Sequence, residues 1–195
     1  MSITITGLTK SFGNKKIFDN FTYHFADKGI YILNGESGVG KTTLLRLIAG
    51  LDTDYTGSIV GGGIGRVGFA FQEHRLFPGL TALQNLVFVF SEGNSEAECK
   101  KMLLSLGLSE TDFSLFPSEL SGGMKQRISL ARAFLSDYKI LLLDEPTKEL
   151  DEKNADVVRG IIKKLSEDRL IIIVSHNDED MEIPGAIKLL LEPIG

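Results

Sequence analysis

The sequence predicts an α/β fold with a mainly parallel sheet, an N-terminal antiparallel β region and an inserted α-helical subdomain. Three observations support this prediction. Short apolar runs alternate with helical patterns in the first and last thirds of the chain, which is typical of a parallel sheet. Apolar and polar residues alternate near the N-terminus, as in half-buried strands. The middle of the chain carries helix signals without strand patterns.

The composition is that of a globular protein and excludes several classes. Of the 195 residues, 43% are hydrophobic and 24% are charged, and the net charge is -5, so collagen-like and disordered classes are ruled out. The longest apolar runs, residues 86–90 and Leu170–Val174, are far shorter than the roughly 20 residues of a membrane-spanning helix. We see no signal-peptide pattern. The single Cys99 fits a reducing compartment, and the mild acidity disfavours nucleic acid as a partner.

The N-terminal region is predicted to form antiparallel strands followed by a buried strand. Residues 3–8 nearly alternate between apolar and polar side chains, and residues 21–25 alternate cleanly, which is the pattern of half-buried strands. Gly13 and Asn14 between them are typical of a turn. Residues 29–33 form a short apolar run bounded by turn residues, which favours a fully buried strand.

A glycine-rich loop over residues 35–40 leads into a helix predicted over residues 41–49. Residues 58–60 and 66–71 are predicted strands, joined by a hairpin turn at residues 61–65. The glycine spacing of that turn superficially suggests a nucleotide-binding loop. We favour the hairpin, because no helix follows the turn.

The middle of the chain is predicted to be a helical insertion. Two capping-box patterns, which begin at Thr81 and Ser95, predict helices over residues 82–90 and 96–106. Ser121 is placed to cap a third helix, in which the apolar residues keep to one face.

The last third of the chain returns to alternating strands and helices. A buried strand is predicted over residues 140–143, further strands over Leu170–Val174 and 186–191, and a helix over Glu152–Leu165. Because ligands bind beyond the carboxyl ends of parallel strands, residues that follow these strands are candidates for a functional site.

One motif marks a phosphate-binding loop. Residues 35–42 read Gly-Glu-Ser-Gly-Val-Gly-Lys-Thr, which matches G-x-x-x-x-G-K-[ST] between a strand and a helix. The glycines let backbone N–H groups surround phosphate oxygens, and the helix N-terminus faces the same anion. Lys41 can reach the β- and γ-phosphates, and the Thr42 hydroxyl can ligate Mg²⁺. The residues predicted to bind the nucleotide are Gly35, Glu36, Ser37, Gly38, Val39, Gly40, Lys41, Thr42 and Thr43.

Two carboxylates follow the predicted strand at residues 140–143. Asp144 lies at the carboxyl end of the strand, where it can hold Mg²⁺ through water. Glu145 is next and can polarise the attacking water. Exposed acids at a strand end are common by themselves, but beside a phosphate loop the functional interpretation is favoured.

A second glycine motif occurs together with the phosphate loop and the two carboxylates. It reads Leu-Ser-Gly-Gly-Met-Lys-Gln-Arg at residues 120–127. With it, the sequence resembles the nucleotide-binding subunit of ATP-binding cassette (ABC) transporters over essentially its whole length. The resemblance implies a RecA-like P-loop NTPase core and ATP hydrolysis. In that family the signature, here Ser121, Gly122 and Gly123, binds the γ-phosphate of ATP held by a second subunit. Free amides at a helix N-terminus suit that role.

The resemblance assigns further residues. Phe12 matches the aromatic residue that stacks on adenine, usually Tyr in the family; a core or hairpin Phe is the alternative. Gln72 matches the glutamine that touches Mg²⁺ and water, and His176 matches the histidine that contacts the γ-phosphate. The implied catalytic residues are Glu145, His176, Lys41 and Gln72, and the implied magnesium ligands are Thr42, Gln72 and Asp144, the last through water.

Asp151 matches the end of the loop that reaches across the family's dimer. It is also a suitable N-cap for the following helix, and both interpretations stay open. The family commonly has Ser-Ala where this sequence has Lys148 and Glu149. Met124 and the segment 72–78 resemble a branch of importers of nitrate, sulfonates and taurine.

The resemblance implies one ABC ATPase domain over residues 1–195, with a core at 1–77 and 137–195 and the helical subdomain at about 78–136. It further implies ATP, Mg²⁺, a second copy of the chain, and membrane-spanning permease subunits on separate chains. The protein would then lie on the cytoplasmic face of the membrane. The apolar stretch at residues 76–80 is a candidate docking surface, with packing on the core as the alternative. A soluble ABC ATPase that drives an assembly or envelope process is the alternative function.

Overall fold

The computed structural model describes residues 1–90 and 95–194, apart from the side chain of Phe90. The strands are β1 (Ile3–Phe12), β2 (Lys15–Phe25), β3 (Gly29–Asn34), β4 (Thr56–Val60), β5 (Gly68–Ala70), β6 (Ile140–Asp144), β7 (Leu170–Val174) and β8 (Ile187–Leu190). The α-helices are α1 (Lys41–Ile48), α2 (Ala82–Val87), α3 (Glu96–Ser105), α4 (Gly122–Leu135), α5 (Glu152–Leu165) and α6 (Asp178–Met181). Short 3₁₀ helices lie at Phe88–Phe90, Glu110–Ser114 and Pro117–Glu119.

The described residues form two sheets. A three-stranded antiparallel sheet has the order β2-β1-β4, and a five-stranded sheet has the order β5-β6-β7-β3-β8. All pairings in the larger sheet are parallel. The predicted fold class, a mainly parallel sheet with an N-terminal antiparallel region, is therefore confirmed.

The core lies on both faces of the parallel sheet. On one face, Ile171 and Ile173 of β7 pack in the cluster that contains the buried side chains of α4 and α5. On the other, Ile172 joins the cluster formed by α1 and the antiparallel sheet. Burial on both faces explains why these strands are continuous apolar runs rather than alternating ones.

The hairpin predicted at residues 61–65 is wrong. β4 pairs with β1 in the antiparallel sheet, whereas β5 pairs with β6 in the parallel sheet, so the segment connects two sheets. A Cβ atom on Gly61 would clash with the carbonyl oxygen of Ser2, and one on Gly62 with the carbonyl oxygen of Ile48. The glycines permit this close backbone approach. Alternation of apolar residues does not show which sheet a strand joins.

The helices predicted from the two capping boxes are present in the middle of the chain. Both capping boxes are present, at Thr81 with Gln84 and at Ser95 with Glu98. The first helix differs in one respect, because its α-helical part ends at Val87 and a 3₁₀ turn follows. No helix in the described part of the chain is long and apolar enough to cross a membrane.

Buried Asn85 holds the entry of the helical segment. Its side chain is fully buried, and its Nδ2 donates to the carbonyl oxygens of Phe77, Leu80 and Thr81 at 3.2, 2.9 and 3.0 Å. Its Oδ1 accepts the Phe77 N–H at 2.8 Å. One amide therefore organises the whole segment between residues 77 and 81.

We expect Asn85→Ala to lower the free energy of unfolding by about 2–3 kcal/mol, because it leaves several buried backbone groups without partners. Urea denaturation measures this loss. The neighbouring exposed Gln84→Ala, which removes only a capping contact, is the control and should cost about 1 kcal/mol or less. Equal losses for the two variants would contradict the role given to Asn85.

Candidate nucleotide-binding site

Four parallel strands deliver polar residues to one edge of the sheet. The loop 35–40 follows β3, Asp144 ends β6, His176 follows β7, and Gln72 follows β5. These residues meet at a cavity of about 310 Å³. Its lining residues are Ser37, Gly38, Gly40, Lys41, Thr42, Thr43, Gln72, Asp144, Glu145, Lys148, Val174 and His176.

The phosphate loop has a backbone that only glycine allows at its bends. Gly35, Gly38 and Gly40 have φ angles of 141°, 78° and 114°, in the region that side chains rarely adopt. A Cβ on Gly40 would lie 2.5 Å from the side chain of Ile17 and 3.1 Å from that of Phe18. The loop is therefore packed tightly against the antiparallel sheet.

Lys41 lies inside this loop. Its Nζ donates to the carbonyl oxygens of Gly35 and Glu36 at 2.6 and 2.9 Å. Burial lowers the pKa of Lys41, and the nearby carboxylates of Glu145 and Asp144 oppose that shift. Two loop carbonyl oxygens thus hold a cation inside the phosphate loop, and a cation at this position suits a phosphate ligand.

The pair Thr42 and Asp144 provides a place for a divalent cation. The Thr42 hydroxyl donates to Asp144 Oδ1 at 3.2 Å, and Gln72 lines the same cavity. Burial raises the pKa of Asp144, the charge of Glu145 adds to the rise, and the Thr42 hydrogen bond opposes it. Hydroxyl, carboxylate and amide oxygens are hard donors that fit Mg²⁺. The described residues contain no cluster of three or more His, Cys, Asp or Glu side chains suited to a metal.

Glu145 and His176 face each other across the cavity. His176 Nε2 lies 3.6 Å from Glu145 Oε1, and the His176 backbone N–H donates to Glu145 Oε2 at 3.4 Å. Glu145 has a φ of 54°, a left-handed conformation that costs about 1 kcal/mol or more for a residue with a side chain. Such strain persists only where neighbouring contacts fix the backbone.

Two sets of contacts hold the Glu145 backbone. Its N–H donates to the carbonyl oxygen of Val174 at 2.8 Å. The buried Gln126 of α4 donates through Nε2 to the carbonyl oxygens of Glu145 and Pro146, both at 3.2 Å. The sequence predicted neither the contact of Gln126 with the Glu145 backbone nor the position of Lys148, which lines the cavity. Gln126 could have been found from the sequence, because it is a polar residue on the buried side of α4.

Phe12 lies outside the phosphate cavity, at the end of β1. Its side chain is 52% exposed, and Lys10 Nζ lies 4.7 Å from the ring centroid. Asn14 and the start of β2, up to Ile17, line a cavity of about 420 Å³ together with the outer side of the phosphate loop. Phe12 is therefore not a core residue, and adenine stacking stays a prediction.

The signature residues begin α4 as predicted. Ser121 is the N-cap, and its Oγ accepts the Met124 N–H at 3.2 Å. A Cβ on Gly122 would clash with the Glu149 carboxylate, and one on Gly123 would lie 2.9 Å from the Glu149 carbonyl oxygen. None of the residues that line the phosphate cavity comes from the signature, so a single chain does not bring these two motifs together there.

Asp151 is the N-cap of α5. It accepts the backbone N–H of Asn154 at 2.9 Å and its Nδ2 at 2.7 Å, and these bonds lower the pKa of Asp151. Asn154 Oδ1 in turn accepts from Arg127 of α4 at 3.2 Å. The capping interpretation is thus observed, and contact with a second chain stays a prediction.

The family model of ABC transporters matches residues 18–148, and the chain belongs to that family. The sulfate/thiosulfate import ATP-binding protein CysA of Bordetella pertussis is 36% identical, over 97% of this chain and 59% of its own length. The aliphatic sulfonates import ATP-binding protein SsuB of Burkholderia ambifaria is 34% identical, over 98% of this chain and 61% of its own length. The chain thus spans about three fifths of these relatives. The resemblance to the family, including its sulfonate-importer branch, is confirmed.

A solved structure supports the fold over the whole chain. The dimeric post-hydrolysis state of the ATP-binding cassette MJ0796, bound to ADP and Pi, has a TM-score of 0.83 and 26% identity, and the match covers 99% of this chain and 97% of that one. The P-loop NTPase core that the resemblance implies is therefore confirmed.

Proposed function

We propose that this chain is the ATP-binding subunit of an ABC transporter and hydrolyses ATP at the interface of a head-to-tail dimer. The observation that supports this most strongly is the single cavity that joins the phosphate loop to Asp144, Glu145 and His176. The names of the relatives CysA and SsuB, both import ATP-binding proteins, agree with it.

In this mechanism the chain's own residues bind the triphosphate and align water. The amides of the phosphate loop and Lys41 hold the β- and γ-phosphates, and Phe12 stacks on adenine. Glu145 orients the attacking water and accepts its proton. His176 and Lys41 stabilise the charge that develops on the γ-phosphoryl group. Thr42, Gln72 and Asp144 would hold Mg²⁺, which neutralises charge on the phosphate oxygens when bound.

The second half of each site comes from another copy of the chain. Each ATP lies between the phosphate loop of one copy and Ser121, Gly122 and Gly123 of the other. The α4 N-terminus offers free amides to the γ-phosphate, and the loop ending at Asp151 lies at the interface. Hydrolysis removes the shared charge and loosens the dimer, and that movement is the mechanical output.

Phosphate release from ATP by the purified chain tests this function. The rate should require Mg²⁺ and should rise more steeply than in proportion to protein concentration, because two chains form each site. Turnover strictly proportional to concentration down to dilutions at which the chain is monomeric would contradict a shared site.

The output is delivered to membrane-spanning permease subunits on separate chains, at the cytoplasmic face of the membrane. The docking surface that we propose contains Phe77, Phe88 and Val89, which are all exposed. The Phe77 and Phe88 rings contact each other with centroids 5.1 Å apart. Leu76, by contrast, packs against the core, so the stretch at residues 76–80 has an inward and an outward part.

We expect Phe77→Glu to reduce recovery of the protein with the membrane fraction at least about tenfold, because a charge in an apolar interface costs several kcal/mol. ATP hydrolysis by the isolated chain should stay within about twofold of wild type. Phe116→Glu is the control, since Phe116 has the same 42% exposure. Equal membrane recovery of the two variants would contradict this docking surface.

A further inference from the structure

A buried carboxylate lies behind the catalytic cavity and joins two loops. Asp180 of α6 is 1% exposed, and its Oδ2 accepts the Thr147 hydroxyl at 2.6 Å and the Ser175 hydroxyl at 2.7 Å. Both hydroxyl-bearing residues are themselves buried. One oxygen atom therefore fixes the distance between the loop that follows β6 and the loop that follows β7.

Each of these loops carries a residue of the proposed reaction. Thr147 follows Glu145 and Pro146, and Ser175 comes directly before His176. Ser175 Oγ also accepts the backbone N–H of Asn177 at 3.0 Å, so the His176 backbone lies inside a closed hydrogen-bonded turn. Movement of Asp180 would move both loops.

The charge of Asp180 is compensated from the side opposite to the hydroxyls. Arg159 of α5 donates to Asp180 Oδ1 at 3.2 Å, and the same guanidinium pairs with Asp156 at 2.9 Å and with Glu152. A buried carboxylate with two hydroxyl donors and a guanidinium is fully satisfied, which makes such a network rigid. Asp180 thus ties both loops to helix α5.

We propose that Asp180 is a positioning residue that sets the separation of Glu145 from His176. Asp180 touches neither side chain and acts through Thr147 and Ser175. The left-handed backbone of Glu145 needs such support, because a freed loop would relax from that conformation. The inference rests on the proposed ATP hydrolysis and adds a residue to it.

Removing one hydroxyl at a time isolates this role. Thr147→Val keeps the shape of the side chain, and Ser175→Ala is a small deletion. Each is expected to lower kcat for ATP about tenfold, because misalignment of reacting groups is costly. KM should change less than about threefold, because the phosphate loop is untouched. Asp180→Asn should also lower kcat while changing KM little, and its fall in kcat should be larger.

Ser136→Ala is the matched control. It also removes a buried hydroxyl, which donates to the Ala133 carbonyl oxygen at 2.6 Å, but it lies outside the phosphate cavity. We expect its kcat to stay within about twofold of wild type. Thermal unfolding of every variant measures the folded fraction, and kcat is calculated per folded chain, because an unfolded fraction lowers the apparent kcat without changing KM.

A double-mutant test separates positioning from general loosening. If Thr147 acts through Glu145, adding Thr147→Val to Glu145→Gln should change single-turnover phosphate release less than about twofold. A full tenfold fall in that background, or a Thr147→Val effect no larger than that of Ser136→Ala, would overturn the inference alone. A wild-type chain that does not hydrolyse ATP would overturn the proposed function as well.

Discussion

Glu145→Gln is expected to lower ATP turnover by about a hundredfold or more while leaving ATP binding intact. The glutamine has the same shape but cannot accept the proton of the attacking water, and general bases of this kind contribute about 10²–10⁴-fold. Its side-chain oxygen can still accept the His176 N–H, which lies 3.4 Å from Glu145 Oε2. The backbone and the site geometry should therefore persist.

The same variant should accumulate as an ATP-bound dimer, because the γ-phosphate that joins two copies in the proposed site would no longer be removed. Size-exclusion chromatography with ATP measures the dimer, and phosphate release measures turnover. Glu167→Gln, an exposed change beyond the end of α5, is the control and should behave as wild type. Full turnover by Glu145→Gln would refute the role given to this carboxylate.

Lys41→Ala is expected to weaken ATP binding by a single chain, whereas Gly123→Asp is expected to prevent two chains from dimerising around ATP. Lys41→Ala removes the cation at the centre of the phosphate loop and should weaken ATP binding about a hundredfold. Gly123→Asp places a negative charge at the start of α4, and its Cβ would lie 2.9 Å from the Glu149 carbonyl oxygen. It should abolish ATP-dependent dimerisation and hydrolysis, yet leave ATP affinity of the single chain within about twofold.

Equilibrium binding of ATP and analytical ultracentrifugation distinguish these two effects. Gly79→Asp is the control, because it makes the same substitution in the same subdomain at an exposed position with open space around the glycine. ATP-dependent dimerisation of the Gly123→Asp chain would contradict the proposal that two chains share each site.

Local rules were sufficient for the phosphate loop and for most of the secondary structure. The loop motif, the apolar runs of β6 and β7, and the capping boxes at Thr81 and Ser95 depend on residues close together in sequence. The meeting of Asp144 and His176 at one edge also followed, because parallel strands end on the same side. These features were therefore predictable.

Contacts between distant segments were not predictable. Gln126 reaches the carbonyl oxygen of Glu145, and Asp180 reaches Thr147, and no spacing rule links such positions. Lys148 enters the phosphate cavity only because of the course of its loop. The prediction for the segment 61–65 was wrong for the same reason, because the sheets that β4 and β5 join are determined by contacts with distant strands.

The buried amide of Gln126 has one consequence for a dimer. In the proposed dimer its helix would offer its N-terminus to the nucleotide of the opposite copy, while its side chain donates to the backbone of Glu145 at 3.2 Å. A shift of α4 on one nucleotide would therefore alter the carboxylate that acts on the other. In the proposed dimer, such linkage would couple the two sites, and the rate would then not follow a simple hyperbola in ATP concentration.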